Sequence, residues 1–138
     1  MELTDRVAAL KAVLDAMPGA KIVSRSQPRS TKGPLVLDYN VMGKTFAILQ
    51  VRGGERVILK CDPHLIEILK QQYAGVGHRS HLDRRYWICV ELDADVPAAE
   101  TERLVAGSYD LVRAGLTKKQ QAELALFAPL GGNAREAG

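Results

Sequence analysis

Gly53-Gly54 constrains this chain more than any other pair of residues, because it separates two runs rich in strand-forming side chains, 45–52 and 55–60. A Gly-Gly link in that setting predicts a β-hairpin, since the primed turns that join two strands need positive φ. If both glycines form the turn, Arg52 pairs with Glu55, Gln50 with Val57, Ile48 with Leu59 and Phe46 with Cys61. Opposed residues of a hairpin share a face. The expected core face therefore carries Phe46, Ile48, Val57 and Leu59, and the outer face Thr45, Ala47, Leu49 and Val51 beside Arg56, Ile58 and Lys60. A further strand at 86–92 divides the same way. Tyr86, Ile88, Val90 and Leu92 point inward, while Trp87, Cys89 and Glu91 join Arg56 and Lys60 outside.

Helices surround these strands. Leu3, Val7, Leu10, Leu14 and Met17 recur at spacings of four and three, which predicts a first helix stopped by Pro18-Gly19. A short strand at 20–23 and a polar, acid-free loop with Arg25, Arg29 and Lys32 lead to a strand at 35–41, which turns at Met42-Gly43-Lys44. Asp62-Pro63 is an N-cap followed by proline at the first helical position, so a helix opens there, with Gly75 and Gly77 expected to end it. Pro97 starts another helix that buries Leu104, Val105, Ser108, Tyr109 and Val112 and breaks at Gly115. Thr117 to Gln120 reads as a capping box before a last short helix with Leu124 and Phe127 as contacts. Hairpin-linked strands among helices give an α+β class, an antiparallel sheet with helices packed on one face. The expectation is one domain over 1–130 and a disordered tail over 131–138.

The chain has 138 residues, long enough to bury a core without disulfide or metal staples. No apolar run approaches the roughly 20 residues of a membrane span, and Glu2 and Asp5 stand where a signal peptide carries positive charge. A cytoplasmic location is expected. Cys61 and Cys89 lie on opposite sheet faces by the alternation above, so both should be reduced and unpaired. Residues 1–90 hold 14 Lys and Arg against 8 Asp and Glu, and residues 91–138 hold 5 against 8. That asymmetry raises the prospect of one basic face, although taken alone it is better explained by an ordinary solvated surface.

Chemistry-bearing motifs are sparse. Cys61-x-x-His64 and His78-x-x-His81 have zinc-like spacings, but one lies at a strand end and helix start and the other in a loop, so no metal is expected. Neither cysteine has a flanking motif of a nucleophile, and neither G-x-x-x-x-G-K-[ST] nor G-x-G-x-x-G occurs. The chain is therefore read as a binding module, not an enzyme, with no cofactor.

The ordered set Val57-Ile58-Leu59-Lys60-Cys61-Asp62-Pro63, Leu69, Tyr73-Ala74-Gly75-Val76, His81-Leu82, Trp87, Asp95-Val96-Pro97 and Ser108-Tyr109-Asp110-Leu111-Val112 resembles the MmcQ/YjbR-like family. Gly43-Lys44-Thr45-Phe46-Ala47 extends the match upstream, with Lys60, Pro63, His81, Leu82, Trp87 and Tyr109 as signature positions. The resemblance implies a frataxin-like (CyaY-like) α+β fold, described for some members as a double-wing DNA-binding motif, and brings no catalytic residues.

The leading functional expectation is nucleic-acid binding, most simply DNA, with single and double strands both open. Its carriers are Arg25, Arg29, Lys32, Arg52, Arg56, Lys60, Arg79, Arg84 and Arg85, with Trp87 available for stacking. Arg56, Lys60, Arg84 and Arg85 are expected on one surface bordering Trp87, although Trp87 covered by other elements is an equal alternative. The runner-up is a protein-interaction or small-ligand module whose pocket uses His78, His81 and Trp87.

Overall fold

A computed structural model describes residues 3–24 and 35–126. Among them, α1 (Asp5–Asp15) is followed by β1 (Ala20–Ser24), β2 (Leu35–Val41), β3 (Lys44–Arg52) and β4 (Arg56–Lys60). Then come α2 (Pro63–Gln72), β5 (Val76–Gly77), β6 (Trp87–Glu91), α3 (Ala98–Ala114) and α4 (Lys118–Leu124). The strands form one antiparallel sheet in the order β1-β2-β3-β4-β6-β5. Helix α3 packs on β2, β3 and β4, and α1 packs on α3, β1 and β3. The expected α+β class with an antiparallel sheet is what the chain adopts. Arg25, Arg29, Lys32, Phe127 and the tail 131–138 lie outside the described residues.

Local signals placed the helices well. Thr4 Oγ1 accepts from Val7 N at the start of α1, and Asp62 Oδ1 accepts from His64 N at the start of α2. Thr117 and Gln120 close the reciprocal capping box of α4. The end of α2 differs from expectation. It stops at Gln72 with Tyr73 already extended, and Val76–Gly77 pair with β6 as an additional strand. Gly75 is needed for close approach instead: a Cβ there would sit 2.8 Å from Ala94 Cβ. The Asp95 carboxylate accepts from both Ala74 N and Gly75 N at 2.8 Å, which draws its pKa below the usual range.

The hairpin register is the main correction. Ala47 pairs with Leu59, Ile48 with Ile58, Leu49 with Val57 and Gln50 with Arg56, one residue away from the expected pairing. Gly53 and Gly54 do take positive φ (83° and 117°), but the connection is longer than two residues. Because the side-chain period in a strand is two, one residue of slip reverses a whole face. Ala47, Leu49 and Val51 are therefore buried in the core, and Ile48 lies partly exposed on the outer face. Phe46 is nonetheless fully buried, as expected, because a bulge intervenes: Tyr39 pairs with Ala47 and Asn40 with Thr45, which leaves Phe46 as the extra residue. The bulge turns two consecutive side chains, Phe46 and Ala47, toward the core. The β4–β6 pairing agrees with the expected alternation: Val57 and Leu59 face Val90 and Ile88 inside, and Arg56, Ile58 and Lys60 face Glu91, Cys89 and Trp87 outside. Tyr86 falls before β6 and is exposed, not part of its inner face.

Both cysteines are free and buried. Cys61 belongs to the core cluster, whereas Cys89 lies on the outer face beneath Glu91, with its Sγ 3.8 Å from Glu91 Oε2. Burial pushes the Cys61 thiol up to about 11, and burial together with the Glu91 charge pushes Cys89 up to about 12. Since the thiolate is the reactive form, a chromogenic disulfide reagent at pH 8 should titrate almost no thiol in the native chain and both after denaturation. Rapid native labelling would show that one of these sites opens readily.

Candidate nucleic-acid interface

The outer face of the sheet carries two different electrostatic arrangements. At the hairpin end, Glu91 Oε2 accepts from Arg56 Nε at 3.2 Å and lies 3.5 Å from Arg79 Nε. Arg56 also stands directly opposite Glu91 in the strand pairing, so the sheet itself builds this ion pair. Two cations of the expected binding set thus share one carboxylate, which offsets one of their two charges. The Arg56 side chain is 14% exposed, which limits its reach to a partner.

The other end of β4 and β6 differs. Lys60 and Trp87 are cross-strand partners, and together with Lys44 and Thr45 they line one open groove. Leu111, Val112 and Gly115 from the end of α3 form its remaining wall. Trp87 is half-buried, neither fully covered nor free. Among the described residues neither Lys44 nor Lys60 enters an ion pair. Thr45 Oγ1 donates to the Asp38 carboxylate at 2.9 Å, as does Asn40 Nδ2 at 3.1 Å, which fixes the strand surface beside the groove. Lys21 on β1 stands opposite Asn40, adding a cation farther along the same row.

Arg84 and Arg85 do not join that groove. They line a second concavity with Pro63, Ile66, Glu67, Lys70 and His78. Arg85 is held by Asp83, Nη2 to Oδ2 at 2.8 Å, and its guanidinium lies 5.4 Å from the Tyr86 ring centre. The Arg85 hydrogen bond lowers the pKa of Asp83. The expected single surface of Arg56, Lys60, Arg84 and Arg85 around Trp87 is therefore divided: Lys60 adjoins Trp87, Arg56 is tied to Glu91, and the arginine pair faces α2. Arg52 closes β3, next to the hairpin turn. His78 Nδ1 contacts the Trp87 carbonyl oxygen at 3.1 Å, yet the two side chains line different concavities, and His81 is exposed. The three do not form the small-ligand pocket that was the runner-up expectation.

Cys61, His64, His78 and His81 are not gathered: among the described residues no group of three or more His, Cys, Asp or Glu could hold a metal ion. No helix among them is long and apolar enough to cross a membrane. Sequence reasoning missed Lys44 as a site residue. It stood in the expected turn, and only the folded chain shows it lining one groove with Lys60. The signal that was present is the Met42-Gly43 pair, both at positive φ, which ends β2 and sends Lys44 back along it.

These features define an α+β domain with an open antiparallel sheet and a cationic, aromatic groove at one end. The chain belongs to the YjbR family, whose family model matches residues 16–111. It is 36% identical to the Escherichia coli K12 protein YjbR over 95 residues, 68% of this chain and 75% of that protein. It is 29% identical to the Escherichia coli O157:H7 protein YbdF over 90 residues, 64% of this chain and 74% of that one. A Deinococcus radiodurans crystal structure with a DUF419 domain superposes with a TM-score of 0.68 at 30% identity, covering 86% of this chain and 87% of the other. A Pseudomonas syringae protein superposes with a TM-score of 0.59 at 19% identity, covering 75% and 96%, and shares the fold.

Proposed function

We propose that this chain is a nucleic-acid-binding module that acts by binding alone, and that it takes single-stranded DNA in the groove formed by Lys44, Lys60 and Trp87. The observation that carries the reading is the cross-strand pairing of Lys60 with Trp87 beside Lys44. A tryptophan face accepts any base, and the two ammonium groups that share its groove meet the phosphates leading away from that base. Lysines without carboxylate partners bind phosphate without first giving up an ion pair, unlike Arg56, Arg79 and Arg85. Contacts of this kind position a strand and carry little sequence information.

Trp87 is the sole tryptophan, so its fluorescence reports on the groove itself. A titration with oligothymidylate should quench it, and the affinity should fall with salt at a slope of about −1.4, from two phosphates at roughly 0.7 each. Replacing Lys44 and Lys60 together with Ala should flatten that slope toward zero. Trp87→Ala, followed by anisotropy of a labelled strand, should weaken binding by about 1–3 kcal/mol. Unchanged fluorescence with no anisotropy rise at any salt would remove the groove as a nucleic-acid site. A duplex that binds more tightly than the single strand would refute the stacking role of Trp87.

A further inference from the structure

The outward face of α3 is built to meet itself. Arg103, Gly107, Asp110 and Ala114 recur at spacings of four, three and four, and all are exposed. Arg103 and Asp110 stand equidistant from the midpoint between Ala106 and Gly107, about 10 Å apart along the helix axis. Opposite charges placed symmetrically about a small-residue midpoint are self-complementary under a two-fold rotation. Beside this row runs an apolar groove between α2 and α3, with Leu65, Leu104, Gly107 and Leu111 along it and Arg103 and Asp110 at its rim. Leu65 and Leu111 are 38% and 40% exposed, and Ile68, next along α2, is 56% exposed.

Gly107 adds an independent observation. It lies in the middle of a 17-residue helix, and a Cβ built on it would meet nothing within 4 Å. Glycine in a helix interior costs roughly 0.5–1 kcal/mol relative to alanine, and nothing within the protomer needs the space. A second helix crossing at that point would use it, because a missing side chain lets two backbones approach closely.

We infer that two copies of this chain associate through α3, antiparallel about a two-fold axis at Ala106-Gly107, with Arg103 of one protomer on the partner's Asp110. The pairing occurs twice, as an isologous interface requires. The exposed leucines and Ile68 flanking α3 supply the apolar area that the charges orient. Arg103 is also hydrogen-bonded to Glu100 within its own helix. That pair is exposed, and such pairs contribute little, so it does not compete strongly with a desolvated contact across the interface. Lys60 and Leu111 line both this groove and the Trp87 groove, so the dimer contact adjoins the proposed strand-binding site, while Trp87 itself lines only the latter.

Sedimentation equilibrium of the full chain tests the inference. The parent should approach twice the 15.1 kDa chain mass as concentration rises. Gly107→Leu should give monomer while raising thermal stability, since leucine favours the helix. Arg103→Asp and Asp110→Arg should each give monomer with helicity unchanged. The double variant, which exchanges the charges, should regain the dimer, and an equimolar mixture of the two single variants should form a one-to-one complex. A parent that stays monomeric up to about 1 mM, the weak limit of specific association, would overturn the inference. So would a dimer that persists in Gly107→Leu, or single variants that fail to associate with each other.

Discussion

Phe46→Ala will cost about 3–5 kcal/mol of unfolding free energy, a large fraction of the roughly 5–15 kcal/mol that a domain usually has. Phe46 is fully buried, and its ring is the centre of an aromatic cluster. It meets Tyr109 edge-on at 5.3 Å between centres and Tyr39 at 6.2 Å. Both tyrosines end in hydrogen bonds that reach other elements: Tyr39 Oη donates to Asp15 at 2.7 Å, and Tyr109 Oη donates to the Pro18 carbonyl at 2.7 Å. Burial and the neighbouring Asp15 push the Tyr39 phenol well above its ordinary pKa, so it stays a donor through neutral pH. One ring therefore ties β2, β3 and α3 to the end of α1. Truncating it opens a cavity that two anchored tyrosines cannot collapse into. Urea unfolding should show a lower midpoint with an unchanged slope, because the surface exposed on unfolding is nearly the same. A loss below about 1 kcal/mol would mean that the cluster repacks, contrary to this account.

The same residue shows why the sequence was legible in some places and not in others. Capping residues act on the three or four positions beside them, so Thr4, Asp62 and Thr117 marked helix starts without any tertiary information. The inner faces of β4 and β6 were legible because charged residues mark the outer positions, Arg56 and Lys60 at the two ends of β4 and Glu91 at the end of β6. Strand β3 was not. Phe46, Ala47, Ile48, Leu49 and Val51 are all apolar, so no alternation reveals which set is inside, and only the turn and the bulge decide. Gly53-Gly54 suggested a two-residue turn, and nothing local in the sequence marks Phe46 as the extra residue of a bulge. The candidate site inherits this limit. That Lys60 and Trp87 share the outer face was foreseeable from β4 and β6 alone, whereas their direct cross-strand pairing was not. The contact of Arg79 with Glu91 was not foreseeable either, because Arg79 follows β5, a strand of two residues that pairs with β6. Arg84 and Arg85 lie only two or three residues from Trp87 in sequence, yet the chain turns at Asp83, whose carboxylate accepts from the Arg85 backbone, and delivers them toward α2.

The bulge also explains the second large effect expected here, at Ser108. Pairing between β3 and β4 ends at Ala47 and Leu59, so the next two backbone groups, the Phe46 carbonyl and the Lys60 N–H, have no partner across the strands. The Ser108 hydroxyl fills the gap from α3. It donates to Phe46 O at 2.6 Å and accepts from Lys60 N at 2.8 Å, and the side chain is fully buried. Ser108→Ala changes almost no volume but leaves a carbonyl and an amide unpaired where water does not reach. A buried group without a partner costs about 1–3 kcal/mol, so the two together should cost about 2–6 kcal/mol. Volume loss alone would cost far less, so the size of the effect separates the two causes. The Lys60 amide gives a residue-specific check: its hydrogen exchange should accelerate more than that of Leu59, whose N–H belongs to the intact sheet. Lys60 is also the residue whose side chain stands opposite Trp87. If Ser108 holds that stretch of β4 in place, the alanine variant should shift Trp87 fluorescence in the folded state even without ligand. An Ser108→Ala variant that unfolds within about 0.5 kcal/mol of the parent, with Lys60 exchange unchanged, would show that another group satisfies both atoms and that the hydroxyl is dispensable.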